Sequence, residues 1–361
     1  MNLNVLVLPG DGIGKEVTAE AVRVLRRVAD RFHHSLHLTE GLLGGVAIHQ
    51  TGSPLPEETL RLALEADATL MGAVGLPEFD NAPTEKRPEK GLLGIRKALG
   101  VFANLRPVRA YPSLLHCSPL KNHLVEGTDM IIVRELTGGL YYSTPRGISG
   151  DGAETRGVNT MAYTRPEIER IARMAFHLAR GRRRKVTSVD KSNVLEVSQL
   201  WRKVVIEVAA EYPDVTLEHL LVDNCAMQLI LNPRRFDVVV IENMFGDILS
   251  DEGAVLAGSI GMLPSASIGE KRPSGACAGL YEPVHGSAPD IAGQNKANPL
   301  AAIGSMAAML EYSFGLTEEA ACVNRAIEAV LNSGKVTADL KPAGKPATTI
   351  EVGEAVCEVI Q

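Results

Sequence analysis

The sequence predicts an α/β fold with a substantial parallel sheet. Two observations carry this: short runs rich in Val, Ile and Leu alternate with helix-length stretches, and several of the runs are almost continuously apolar, the pattern of strands buried on both faces. Residues 3–8 (LNVLVL) form the first run and turn through PGDGIG into a helical stretch over residues 15–32. Further strands are expected at 68–74, 130–135, 185–190, 217–223 and 237–243. Further helices are expected at 165–179, 198–212, 299–314, 318–332 and 350–360. Residues 136–162 differ. They are rich in Gly, Ser, Thr and Tyr, have no helical period, and predict a β-arm or an extended loop.

A chain of 361 residues is long enough for two domains or one large α/β unit. Its 45% hydrophobic and 22% charged content is that of an ordinary globular protein. The net charge of −6 argues against general affinity for nucleic acid or membrane. The one strong basic run, residues 180–185, closes a helical stretch, where cations suit the negative end of the helix dipole. The five cysteines (Cys117, Cys225, Cys277, Cys322, Cys357) form no CxxC or zinc spacing, which fits free thiols in a reducing compartment. The start, MNLNVLVLPG, has no charged leader or cleavage pattern, so a cytoplasmic location is expected.

Gly10–Asp11–Gly12–Ile13–Gly14 follows a strand and opens a helix, which invites a dinucleotide-binding reading. The spacing is GxGxG, and no acidic residue after the next strand stands out as a ribose partner. A tight strand-to-helix turn is the better reading.

Residues 242–251 (ENMFGDILSD) carry the most chemistry. Asp247 and Asp251 stand four apart, so on a helix both carboxylates project from one face about a turn from each other. Like charges there repel, and a hard cation such as Mg²⁺ or Mn²⁺ between them reverses the sign. The plain alternative is a solvated helix face. The preceding FDVVVIEN reads as a buried strand, so the pair lies past a strand's carboxyl end, where α/β proteins place ligands. Asp223, after LEHLLV, is a candidate third carboxylate. Arg96, Arg106 and Arg134 offer planar donor forks suited to carboxylates, Arg134 at the end of an apolar strand. Tyr141 and Lys191 are acid–base candidates; a packed aromatic and an exposed lysine are their plain readings. Residues 282–299 form a long polar loop whose small residues let a backbone approach a ligand closely.

The segments LPGDGIG, LLGIRK, NLRP, VRELTGG, VDKSNVLE, ENMFGDILSDE, GMLPSAS and EPVHGSAPDIAG, in this order, resemble the isocitrate/isopropylmalate dehydrogenase family of β-hydroxyacid oxidative decarboxylases. Within it, VRELTGGLYY and residues 89–93 (EKGLL) are most similar to the branch that acts on 3-isopropylmalate. The resemblance implies a two-domain α/β fold with a large mixed sheet flanked by helices, not a Rossmann fold. Residues 1–101 and 258–361 would form a discontinuous cofactor-binding domain. Residues 102–257 would form a second domain that carries the dimer interface and an arm around 136–162.

The implied reaction is NAD-dependent oxidative decarboxylation of (2R,3S)-3-isopropylmalate to 4-methyl-2-oxopentanoate and CO₂, a step of leucine biosynthesis. By resemblance, Arg96, Arg106 and Arg134 bind the malate carboxylates, and Asp223, Asp247 and Asp251 hold Mg²⁺ or Mn²⁺. Lys191 takes the hydroxyl proton and Tyr141 protonates the enol carbon. Glu89, Leu92, Leu93 and Val194 meet the substrate's variable group, and the apolar surface of Leu92, Leu93 and Val194 suits an isopropyl group. Leu76, Glu89, His285, Gly286, Ser287, Ala288, Pro289, Asp290, Ile291 and Asn298 contact NAD. Asp290, where NADP-dependent relatives carry Lys, favours ribose hydroxyls and repels a 2′-phosphate. A homodimer is expected in which Lys191 and Asp223 reach the partner's cleft. The alternatives are a relative acting on tartrate, malate or homoisocitrate and, more remotely, a non-catalytic regulatory subunit. Three departures stand out: residues 75–79 read GLPEF instead of GGPKW, Cys225 replaces a common Ala, and residues 270–278 are longer than usual.

Overall fold

The computed structural model describes residues 1–271 and 277–360. Among them the strands are β1 (Asn2–Gly10), β2 (Ser35–Glu40), β3 (Ala68–Ala73), β4 (Ala103–Arg109), β5 (Asp129–Glu135), β6 (Gly147–Ser149), β7 (Arg156–Val158), β8 (Lys185–Asp190), β9 (Thr216–Leu221), β10 (Val238–Ile241), β11 (Pro264–Lys271) and β12 (Cys277–Pro283). The chain divides into two compact units. The first comprises Met1–Val101, Tyr111–Pro119 and Ala257–Gln361, the second Phe102–Ala110 and Leu120–Leu256.

In the first unit the strand order is β2-β1-β3-β12-β11. The pairs are parallel except β11–β12, which is antiparallel. The apolar run of β1 is buried as its composition dictates, with Leu3, Val5, Leu6 and Leu8 fully covered. The helix Leu300–Tyr312 is built from Ala, Leu and Met, which lose little side-chain freedom in a helix, and it packs on β3, β11 and β12 with nearly every side chain buried. The glycine turn after β1 is structural. Gly10 and Gly12 have φ of 70° and 53°, and a Cβ on either would lie 2.0 Å from a carbonyl oxygen, of Ala73 and Ser287 respectively. Between them the Asp11 carboxylate accepts the backbone N–H groups of Gly45, Val46 and Gly75, each over 2.8 Å.

In the second unit the order is β4-β5-β10-β8-β9, with β4–β5 antiparallel and the rest parallel. These mixed sheets, flanked by helices, differ from the all-parallel dinucleotide-binding sheet. The helix Arg165–Arg180 opens with a reciprocal cap between Thr164 and Glu167 and buries Ile168, Ile171, Ala172, Ala175, Phe176 and Ala179, one face at helical spacing. The segment 136–162 holds an antiparallel arm, β6 with β7, and a short 3₁₀ turn, Gly139–Tyr141.

Several expectations need correction. The strand expected at 217–223 ends at Leu221, and the helix Val222–Leu231 places Asp223 in its first turn. Strand β10 stops at Ile241, because Glu242 turns back to accept the N–H groups of Met244 and Phe245 and so caps the helix Asn243–Ala257. The basic run does more than sit at a helix end: Arg180 pairs with Asp214, Arg182 with Asp129 and Asp237, and Lys185 with Glu218. The long segment at 270–278 lies largely outside the described residues. Among the described residues no helix is long and apolar enough to cross a membrane.

Candidate active site

Four elements of the second unit bring chemistry to one place. Strands β4 and β5 supply Arg106 and Arg134, the turn Gly139–Tyr141 supplies Tyr141, and the helix Asn243–Ala257 supplies Asp247 and Asp251. Both arginines are buried. Arg134 donates from Nη1 to Asp247 Oδ1, and from Nε and Nη2 to Asn243 Oδ1 over 3.2 and 2.8 Å. Arg106 Nη1 lies 2.6 Å from Ser250 Oγ and 3.3 Å from Asp251 Oδ1, and its Nη2 is 3.5 Å from Asp247 Oδ1. Asn104 Oδ1 takes the Arg106 Nε–H over 2.7 Å. The Tyr141 hydroxyl donates to Asp247 Oδ2 over 2.9 Å.

The two carboxylates thus share a helix face, and two buried guanidiniums offset the repulsion that their spacing creates. Partial burial and the nearby Asp247 still push the Asp251 carboxyl up, against the pull of Arg106 and Arg134. Burial pushes the Tyr141 phenol up to about 12, helped by the charge and hydrogen bond of Asp247 and opposed by Arg134. The phenol is therefore neutral and a proton donor through the physiological range.

Lys191 and Asp223 form a pair of their own, Nζ to Oδ1 over 2.7 Å. That hydrogen bond holds the Asp223 carboxyl below the usual carboxylate range. Within one chain, no three His, Cys, Asp or Glu side chains among the described residues gather as a metal site. Asp247 and Asp251 do present hard oxygen donors one turn apart, with Asp251 turned largely to solvent, the donor chemistry that Mg²⁺ or Mn²⁺ takes. Val194 is 61% exposed.

In the first unit, Arg96 is buried and donates from Nη2 to Glu282 Oε1 over 2.5 Å. It stands on the helix Pro88–Leu99, where Glu89 is exposed and Leu92 and Leu93 are half-buried. The loop from His285 is tied down at two points. Ser287 Oγ donates to the Gly75 carbonyl over 2.5 Å, and the Ile13 N–H donates to the Ser287 carbonyl over 2.8 Å. His285, Ser287 and Asn298 are buried, Gly286, Pro289 and Asp290 exposed, and Ala288 and Ile291 half-buried. Burial depresses the His285 imidazole, which stays neutral. Leu76 and Phe79 of the unusual GLPEF segment lie against Gly45, and Phe79 meets the His49 ring at 5.4 Å. Cys225 is fully buried and its thiol is pushed up to about 12, the behaviour of a small apolar side chain.

The sequence reading did not single out Asn243, Ser250, Asn104 or Glu282, which hold the three arginines. For Asn243 a signal existed: it stands one turn before Asp247 on the face that carries Asp247 and Asp251.

The pattern described as isocitrate/isopropylmalate dehydrogenase matches residues 4–356. A 3-isopropylmalate dehydrogenase of Geobacillus kaustophilus (strain HTA426) is 61% identical over 343 residues, 95% of this chain and 91% of that protein. One from Halalkalibacterium halodurans is 58% identical over 362 residues, covering 100% of this chain and 98% of that protein. Among solved structures, isocitrate dehydrogenase from Methylococcus capsulatus superposes with a TM-score of 0.87 at 33% identity, over 99% of both chains. A β-decarboxylating dehydrogenase from Thermococcus kodakarensis gives 0.79 at 36% identity, over 99% of this chain and 96% of that one. The chain belongs to the isocitrate/isopropylmalate dehydrogenase family.

Proposed function

We propose that this protein catalyses the NAD-dependent oxidative decarboxylation of (2R,3S)-3-isopropylmalate to 4-methyl-2-oxopentanoate and CO₂, a step of leucine biosynthesis. The observation that carries the reading is the meeting of Arg106, Arg134 and the Tyr141 phenol on Asp247, one turn from Asp251. Near full-length identity to 3-isopropylmalate dehydrogenases supports the choice of substrate.

Arg106 and Arg134, with Arg96, orient the malate carboxylates by paired N–H donors. Asp247, Asp251 and Asp223 would hold a divalent cation, which would supply Lewis-acid polarisation when bound. Leu76, Glu89, residues 285–291 and Asn298 would hold NAD⁺, which would supply the hydride acceptor when bound. Lys191 accepts the C2 hydroxyl proton. After CO₂ leaves, Tyr141 gives its proton to the enol carbon. Leu92, Leu93 and Val194 meet the isopropyl group.

The working form is a homodimer in which Lys191 and Asp223 of one chain complete the cleft of the other. Exposed apolar side chains on two helices support a partner there: Met227 and Leu231 on Val222–Leu231, and Ile248 and Val255 on Asn243–Ala257. The first unit takes the nucleotide, and the β6–β7 arm belongs to the dimer-forming part. A cytoplasmic location fits the free thiols of Cys117, Cys225, Cys322 and Cys357.

The test is an assay of purified protein with NAD⁺ and Mg²⁺ against isopropylmalate, isocitrate, homoisocitrate, tartrate and malate. Equal yields of NADH and CO₂, with the highest kcat/KM for isopropylmalate, are expected. A higher kcat/KM for any other acid refutes the substrate.

A further inference from the structure

We propose that Asn243 is a positioning residue that ties the substrate-binding Arg134 to the turn carrying Tyr141; the roles of Arg134 and Tyr141 rest on the function proposed above. The Asn243 side chain is 1% exposed and uses both ends of its amide. Its Oδ1 accepts two N–H groups from Arg134, Nε over 3.2 Å and Nη2 over 2.8 Å. Its Nδ2 donates to the Gly138 carbonyl over 3.1 Å, at the entrance to the Gly139–Tyr141 turn. An arginine can only donate and a carbonyl can only accept, so one amide orientation satisfies both neighbours.

The surroundings hold the amide still. The Asn243 N–H donates to the Tyr163 hydroxyl over 3.0 Å, and that hydroxyl donates to Glu242 Oε2 over 3.2 Å. Glu242 in turn accepts the next two backbone N–H groups of the helix. The turn is pressed on the same tyrosine: a Cβ on Gly138 would lie 2.7 Å from Tyr163 Cε1, and one on Gly139, where φ is 68°, 2.3 Å from its hydroxyl. Gly246 clears the path of the arginine, since a Cβ there would lie 2.8 Å from Arg134 Cγ. Asn243, Gly246 and Asp247 thus form one helical cradle for Arg134; Asp247 meets the Tyr141 hydroxyl, and Asn243 holds the backbone that leads into the turn.

The two ends of the amide predict separable kinetic effects. Asn243→Asp keeps an acceptor for Arg134 but faces the Gly138 carbonyl with an oxygen. Asn243→Ala loses both contacts. For the alanine variant, KM for isopropylmalate should rise about tenfold or more and kcat should fall as well. The aspartate variant should keep KM within about threefold of the unmodified protein while kcat stays about tenfold down. A plain packing role would move both variants in proportion to their loss of melting temperature. Alanine-variant kinetics within about twofold of the unmodified protein, or an aspartate variant that does not separate KM from kcat, overturns the proposal. A crystal structure of the Asn243→Ala protein without substrate supplies a readout independent of the assigned reaction. It should show the Arg134 guanidinium turned and the Gly138–Tyr141 turn displaced; both unmoved overturns the proposal. If the unmodified protein fails on isopropylmalate, the functional reading falls and the crystallographic result still decides the role of Asn243.

Discussion

The Tyr141 hydroxyl donates to Asp247 Oδ2 over 2.9 Å, so a neutral phenol is held against a carboxylate whose other oxygen faces Arg134. Burial and the Asp247 charge raise this phenol to about 12. Tyr141→Phe removes the donor and leaves the ring. The kcat should fall about 10²- to 10⁴-fold, the usual worth of a positioned general acid, with KM changed by no more than a few-fold. Because the phenol ionises so late, it contributes no loss of kcat between about pH 7 and pH 10 in the unmodified protein. Unchanged turnover in the phenylalanine variant removes Tyr141 from the chemistry.

Asp247 and Asp251 are the hard donors that the helix offers, so activity should require Mg²⁺ or Mn²⁺. Exhaustive chelation should abolish turnover, and adding either metal should restore it. Asp251→Asn should raise the Mg²⁺ concentration for half-maximal activity by about tenfold or more, since a neutral amide replaces a charged ligand. Full activity in chelator contradicts the metal assignment.

Much of this site was legible because its parts lie in contiguous, strongly patterned segments. The runs IIVRE and VVVI read as buried strands and placed Arg134 and the aspartate helix correctly. Strand β4 did not read as a strand, because ANLRPVR breaks its apolar pattern with Arg106, Pro107 and Arg109; the antiparallel pairing with β5 overrides that weak local signal. Strand β2, SLHLTE, sits at a sheet edge, and its alternation rests on only two apolar residues, Leu36 and Leu38. Strand β11 begins PSAS, small residues whose burial depends on the helix Leu300–Tyr312 behind them. Asp223 was placed at a strand end because Leu220, Leu221 and Val222 continue the apolar run past the point where the helix begins. The partners of the arginines come from residues up to 186 positions away, and no local pattern announces such pairs.

Asp290 is exposed on the loop that Ser287 anchors to Gly75. A carboxylate there should accept ribose hydroxyls and repel a 2′-phosphate. The unmodified protein should therefore prefer NAD⁺, and Asp290→Lys combined with Ile291→Tyr should shift the kcat/KM ratio toward NADP⁺. Equal use of both cofactors by the unmodified protein means that Asp290 does not meet the ribose.

Leu92 and Leu93 are half-buried on the helix Pro88–Leu99, leaving apolar surface for a ligand. Burial of each methylene contributes about 0.8 kcal/mol. Leu92→Ser should therefore lower kcat/KM for isopropylmalate relative to unsubstituted malate, by about tenfold if most of that side chain's contact is lost. A ratio that stays fixed places the isopropyl group elsewhere.

Asp247 and Asp251 have no third carboxylate from their own chain beside them among the described residues, while Asp223 and Lys191 form a separate pair. The proposed site draws Asp223 and Lys191 from a second chain, and subunit exchange tests this most directly. Lys191→Ala and Asp247→Asn proteins, each inactive alone, are mixed under conditions that exchange subunits. In the mixed dimer one cleft collects both lesions. The other receives an intact Lys191 from the Asp247→Asn chain and an intact Asp247 from the Lys191→Ala chain. Activity should reappear on mixing, approaching about a quarter of the unmodified level at full exchange, since half the dimers are mixed and each has one good cleft. Verified mixed dimers that remain inactive would show that each site is built within one chain, and would contradict the shared cleft.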